Sequence, residues 1–493
     1  MRFRRSRLLS EGSHTCWEGT LNASTPQGWG SSCLQSPGWG SGGHEDCLFL
    51  NVWSPKLPET KEAAGLLPVF FYIHGGSLVA GSGNIYFQGL KEQGLVIVTI
   101  NYRLNVPGFL ALDALTETDE EKASGNYGLS DQVTALRWVQ KNIAQFGGDK
   151  TRVTIAGQSS GGTSVWNLLA IPSAIGLFAA AIPMSGASRN NVTLAEASHD
   201  NAVFLRLAMC DAAQPAAKIR ACIDNLSEDR IRSIYQEMCK LEGTLCACGA
   251  YDFHMPVATE YQSGVAIIDG VVVKQNLQLA LASRAMGAHS RVPTLAGSMA
   301  QEATGTPEHM NDATGQRFHA AMRSWGRALG LTDATIGNAT RLYAARPDTD
   351  EFRHDWAIAY DSVISDIRVV CGCFANVARL VSSFGAPAAE APVWQYYSDM
   401  SAVKNSSTNE AHHGFDLEQL SIDPSDPKSF KTPADREYNS RAIELFATFA
   451  RTHAPPPGAG FKKFGDVPGG NAGKIGVVGE LPADYNINNL DLK

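Results

Sequence analysis

No apolar run in the 493-residue chain approaches the ~18 residues that would suggest a membrane-spanning helix. Neither sign of charge dominates: 41 Lys and Arg face 49 Asp and Glu, a net charge of −8. That leaves no basic surface of the kind a nucleic-acid binder needs. Charged residues make up only 18% and hydrophobic ones 44%, which excludes a disordered chain, where high net charge goes with low hydrophobicity. Linker-like stretches and internal repeats are missing too, so residues 1–493 read as one large domain able to bury a sizeable core. The start has little of a secretory leader. Met1 to Arg7 is basic, but Leu8 and Leu9 are the only apolar pair before Ser10, against the roughly 7 to 15 apolar residues a signal peptide needs.

Ten cysteines are too few for a disulfide mini-scaffold. Cys246, Cys248, Cys371 and Cys373 could ligate zinc, but both pairs are C-x-C, and zinc thiolates are usually spaced more widely. Disulfides are the favoured reading for them, and no metal or cofactor is expected. Five N-x-S/T triplets, at Asn22, Asn191, Asn225, Asn338 and Asn405, point the same way. Together these features favour an oxidising, secretory environment.

Three short apolar runs stand out in the first third: Leu67–Ile73, Leu95–Ile100 and Val153–Ala156. Each is apolar nearly throughout, which suits strands buried on both faces of a parallel sheet. Ala179–Pro183, Val292–Ala296 and Val393–Tyr397 read as further strands. Asp131–Phe146 has helical spacing and stops at Gly147-Gly148, and Ala-rich helical material fills 194–240, 313–345, 355–384 and 434–452. The Gly/Pro-rich stretches Gly28–Gly43 and Pro455–Gly473 read as surface loops. Strands separated by long helical stretches argue for an α/β fold with a mostly parallel central sheet and helices on both faces.

Gly157-Gln158-Ser159-Ser160-Gly161 fits G-x-S-x-G. The bare pattern is weak and equally describes an ordinary Gly/Ser turn. Its context is not weak: it follows a strand and opens a helical run, the setting of a nucleophile elbow. Ile73-His74-Gly75-Gly76-Ser77 follows an earlier strand, where backbone N–H groups can stabilise an oxyanion. Two such elements in the right order are hard to obtain by accident.

Here the chain resembles the type-B carboxylesterases, the family of cholinesterases and the larger fungal lipases. The likeness begins at Arg2-Phe3-Arg4 and Trp17-Glu18-Gly19 and includes Glu45-Asp46-Cys47-Leu48-Phe49-Leu50-Asn51-Val52, very like the family's EDCLYLNV. It is dense from 45 to 188, through INYRLNVPGFL, GNYGLSDQ and VTIAGQSSGG to Met184-Ser185-Gly186. The resemblance implies an α/β-hydrolase fold with helical insertions and a serine ester hydrolase. It makes Ser159 the nucleophile. It makes Glu302, in Gly297-Ser298-Met299-Ala300-Gln301-Glu302, the acid, although Ala303 follows where the family usually has glycine. It makes His413, in His413-Gly414-Phe415-Asp416, the base; adjacent His412 lacks the following glycine. Oxyanion donors are implied at the N–H groups of Gly76, Ser77 and Ser160. Ser77 stands where glycine is frequent and is tolerable there if its φ stays negative.

Gln158 replaces a glutamate that many members carry and that helps cholinesterases hold choline, so neutral esters are expected. The resemblance also implies the disulfides Cys33–Cys47 and Cys210–Cys222. The first closes a loop of 13 residues, too short to cover a wide acyl groove, which favours short- to medium-chain soluble esters over a lipase's substrates. Cys16 and the remaining cysteines stay unassigned. Members have a signal peptide and a hairpin before this chain's first residues, so an incomplete or internally initiated sequence and a secreted protein are expected. The alternatives are a lipase of the same family and a non-catalytic adhesion or scaffold member, although dead members usually lack the serine or the histidine.

Overall fold

The apolar runs form the middle of one sheet. The computed structural model describes residues 2–8, 29–35, 42–57, 65–187, 192–238, 266–285, 287, 289–303, 315–328, 330–344, 355–384, 391–398, 411–457 and 476–477. Its strands are β1 (Leu50–Trp53), β2 (Leu67–Ile73), β3 (Val96–Ile100), β4 (Gly148–Gln158), β5 (Ala180–Met184), β6 (Thr294–Met299), β7 (Val393–Ser398) and β8 (Gly476–Val477). They lie in the order β1-β3-β2-β4-β5-β6-β7-β8. β1 pairs with β3 antiparallel, and the pairs from β3 to β8 are parallel.

β2 shows why a central strand is apolar on both sides. Val69, Phe71 and Ile73 pack with Leu136, Val139 and Trp166 of the helices Tyr127–Asn142 and Ser160–Ala170. Phe70 and Tyr72 point the other way, into a second cluster with Phe87, Leu445 and Phe446, the last two on the helix Pro433–Thr452. That helix starts one residue before its expected range. Thr432 and Asp435 form a capping box there, and Pro433 takes the first helical position, where its missing N–H costs nothing.

Two differences from the expected strands have local causes. β6 begins at Thr294 and not Val292, because Pro293 has no N–H to give the ladder, although its carbonyl still accepts from Ala181 N–H at 3.0 Å. β1 and β8 were not expected. β1 is an edge strand whose four residues are all half-buried, so it lacks the continuous apolar signature.

The first motif also packs as a unit. The Arg2 guanidinium meets Glu45 at 2.5 and 2.7 Å, and the buried Phe3 ring sits edge-on to Tyr127. Cys33–Cys47 and Cys210–Cys222 are bonded, with Cα separations of 4.8 and 5.9 Å. The disulfide reading of the C-x-C pairs is corrected at Cys373, a buried thiol whose Sγ lies 3.7 Å from the Gly297 carbonyl. It belongs to the helix Cys371–Phe384, and helical residues two apart do not face each other. Cys16, Cys239, Cys246 and Cys248 lie outside the described residues. No described helix is long and apolar enough to cross a membrane.

Candidate active site

Ser159 occupies the single-residue turn between β4 and the helix Ser160–Ala170, with φ 59° and ψ −127°. That backbone is costly for any residue with a side chain, of order 1–3 kcal/mol, and persists only when its surroundings hold it. Here Ser159 N–H donates to Met184 O and Ser159 O accepts from Thr163 N–H, both at 2.9 Å. The flanking glycines answer to close approach. A Cβ on Gly157 would fall 2.5 Å from the Gly161 carbonyl, and one on Gly161 would fall 2.1 Å from Ile73 O.

The glycine-rich loop leaves the end of β2 beside this turn, so near that a Cβ on Gly75 would stand 2.9 Å from Ser159 Cβ. Gly76 has φ 102°, and its carbonyl accepts from Val79 and Ala80 N–H at 3.0 Å each. The condition of a negative φ at Ser77 is not met: it is 56°, and Leu78 follows at 62°. Successive left-handed residues swing the loop around the elbow, which explains why glycine suits this run better than serine does. The Ser160 hydroxyl braces the loop by accepting from Leu78 N–H at 3.1 Å.

Glu302 and His413 come together from loops after β6 and β7. Gln301 and Ala411 join these loops: Gln301 N–H donates to Ala411 O at 3.0 Å, and Ala411 N–H to Gln301 Oε1 at 2.8 Å. Glu302 is 1% exposed. Its Oε1 accepts from Met299 N–H at 2.7 Å, and its Oε2 lies 2.5 Å from His413 Nδ1. His413 Nε2 lies 3.3 Å from the side-chain amide nitrogen of Gln158, the residue before Ser159. These contacts are satisfied together by a neutral imidazole that donates from Nδ1 and accepts at Nε2. His412 points elsewhere, with Nε2 3.0 Å from the exposed Glu418.

Two partners escaped sequence reasoning. Asp416, the last residue of the His413 motif, is 2% exposed, and its Oδ2 accepts from Tyr396 OH at 2.6 Å. Burial, helped by the nearby Glu302 charge, raises its pKa to about 6 against the opposing Tyr396 hydrogen bond and His413. Tyr396 crosses Gly297, where a Cβ would fall 1.8 Å from the ring. The first glycine of the acid's motif is therefore a space for an aromatic ring. Asp416 closes the His413 motif and Tyr396 lies in the expected strand Val393–Tyr397, which was the available signal. Among the described residues no group of three or more His, Cys, Asp and Glu could hold a metal ion.

A serine on a strand-to-helix turn, a glycine-rich loop after an earlier strand, and an acid and a histidine after later ones define the α/β-hydrolase arrangement. The comparisons narrow that class. The chain belongs to the carboxylesterase family, whose model matches residues 3–475. Esterase E4 of Myzus persicae is 46% identical over 178 residues, 35% of this chain and 30% of that protein. Para-nitrobenzyl esterase of Bacillus subtilis is 42% identical over 202 residues, 39% of each chain. The matched stretches thus span less than half the length of these relatives. A solved structure of a PNB esterase superposes with a TM-score of 0.63 at 25% identity, covering 88% of this chain and 82% of that one.

Proposed function

We propose that the chain is a serine carboxylic-ester hydrolase working through an acyl-enzyme, with Ser159 as nucleophile, His413 as base and Glu302 as the acid that orients it. The observation carrying this reading is the 2.5 Å contact of Glu302 Oε2 with His413 Nδ1, which leaves Nε2 as acceptor beside the Ser159 elbow. His413 would take the Ser159 proton as the hydroxyl attacks the ester carbonyl, then return it to the leaving alcohol. Glu302 would stabilise the imidazolium formed in between. The N–H groups of Gly76, Ser77 and Ser160 would carry the oxyanion, and water would release the acid by the same steps. Neutral, soluble short- to medium-chain esters are the substrates this reading favours, from the amide at Gln158 and the short Cys33–Cys47 loop. One domain and a secreted protein complete it. The two disulfides and the exposed sequon residues Asn225 and Asn338 support that location.

Ser159→Ala should lower kcat on a p-nitrophenyl ester by on the order of 10⁴ or more, and a fluorophosphonate probe should label the Ser159 peptide. A Ser159→Ala protein that kept most of its activity would refute the assignment.

A further inference from the structure

The Gly75–Gly76 peptide has an anchor that the proposed mechanism does not use. His74 Nδ1 lies 2.8 Å from the carbonyl oxygen of Gly75. The carbonyl can only accept, so Nδ1 carries the proton. A peptide unit is planar and trans, so its C=O and the following N–H point in opposite directions. Fixing the Gly75 carbonyl on His74 turns the Gly76 N–H away from that ring. The His74 ring is locked in turn: it stacks on Tyr102 at 4.4 Å and 21°, and Tyr102 OH donates to His74 O at 2.8 Å. His74 is 5% exposed, and its Nε2 has no partner among the described residues. Burial lowers its pKa to about 4, against the Gly75 hydrogen bond, so the ring is neutral at pH 7.

Gly81 closes the other side, where a Cβ would fall 2.5 Å from His74 Nδ1 and 2.6 Å from Gly75 O. Gln35 grips Gly81 at both ends: Gly81 N–H donates to Gln35 Oε1, and Gln35 Nε2 to Gly81 O, each at 3.0 Å. Gln35 Nε2 also donates to Cys33 O at 3.0 Å. The line of contacts therefore begins in the first disulfide loop and ends at an oxyanion donor.

We propose that His74 is a positioning residue for the oxyanion hole: its Nδ1–H sets the Gly75–Gly76 peptide so that Gly76 N–H faces Ser159, and Gln35 maintains that contact through Gly81. The inference rests on the esterase reading above. Its test is the kinetics of p-nitrophenyl butyrate hydrolysis together with inhibition by a trifluoromethyl ketone, which forms a tetrahedral oxyanion on the serine.

His74→Phe should lower kcat on the order of 10²–10³-fold, the loss typical of one oxyanion donor. KM should stay within about threefold, and ketone affinity should fall in parallel with kcat. His74→Asn, whose amide nitrogen takes the place of Nδ1, should recover to within about tenfold of the parent, while Gln35→Leu should lose about tenfold in kcat with the same split. An unchanged kcat in His74→Phe overturns the proposal, as does a loss in a folded protein that falls equally on KM or is not relieved by His74→Asn. Should His74→Phe not fold, His74→Asn is compared with His74→Gln, whose amide reaches the Nε2 position. Activity in the first and impairment in the second supports the proposal, and equal activity overturns it. Ser159→Ala is measured alongside. If it still hydrolyses ester, the esterase reading and this inference fall together; if it is inactive beside a fully active His74→Phe, only this inference does.

Discussion

The Gln158 side-chain amide nitrogen stands 3.3 Å from His413 Nε2. The contact places a neutral donor against the imidazole nitrogen that a base must keep unprotonated. A carboxylate there could not donate, and would instead favour the imidazolium. Backbone crowds the amide from both sides: a Cβ on Gly75 would come within 3.4 Å of its oxygen, and one on Gly414 within 3.6 Å of its nitrogen. Gln158 is 5% exposed, so little solvent reaches the group to blur its effect on a bound substrate.

The two adjacent histidines give a sharp test of which one is the base. His413 reaches the buried Glu302, whereas His412 reaches Glu418, whose side chain is 59% exposed. His413→Ala should cost as much kcat as Ser159→Ala, on the order of 10⁴ or more. His412→Ala should be mild, because an exposed pair contributes little. Steady-state rates of the two variants decide it, and the reverse result would move the base by one residue.

Much of this was legible in the sequence, and the parts that were not share a cause. β2 reads to the residue at Leu67–Ile73 because both its faces are buried and no position is free to be polar. The half-buried edge strand β1 carries no such signature. Ser159 sits in a local motif whose strand-to-helix context marks it, whereas Glu302 and His413 could be named only through the resemblance to the carboxylesterase family. The left-handed backbone at Ser77 depends on how the loop wraps the elbow. The burial of Asp416 depends on Tyr396 reaching across Gly297 from another strand. Both are products of tertiary packing, which no short stretch of sequence encodes.

Asp416 makes a prediction about stability and pH. Burial lifts its pKa from 3.8 to about 6, so the folded protein holds a proton that the unfolded chain releases between about pH 4 and 6. The unfolded state binds fewer protons in that window, so folding loses stability as pH rises through it, by roughly 3 kcal/mol, and the loss is complete above it. Asp416→Asn keeps an acceptor for Tyr396 without the charge. Its melting temperature should match the parent at pH 4.5 and exceed it at pH 7.5. A variant less stable than the parent at pH 7.5 would show that the ionised carboxylate is a net stabilising group.

The final prediction concerns substrate charge. A carboxylate in a partly desolvated pocket attracts a quaternary ammonium more strongly than it would in water. With glutamine at 158, a cationic ester meets only the amide dipole and any aromatic faces, and cation–π contacts supply roughly 0.5–2 kcal/mol. The Trp29 ring packs on Trp53 of the edge strand at 5.4 Å; Trp39 lies outside the described residues. p-Nitrophenyl butyrate should therefore exceed acetylcholine in kcat/KM by at least about tenfold, or about 1.4 kcal/mol of transition-state discrimination. Gln158→Glu should narrow that gap by improving acetylcholine. The same change should slow the neutral ester, because it replaces the donor facing His413 Nε2 with a charge that holds a proton there. Measuring kcat/KM for both esters in both proteins separates the two effects. Comparable values for the two esters in the parent would mean that some other group binds the cation, and a Gln158→Glu variant with an unchanged ratio would mean that the side chain at 158 does not face the alcohol end of the substrate.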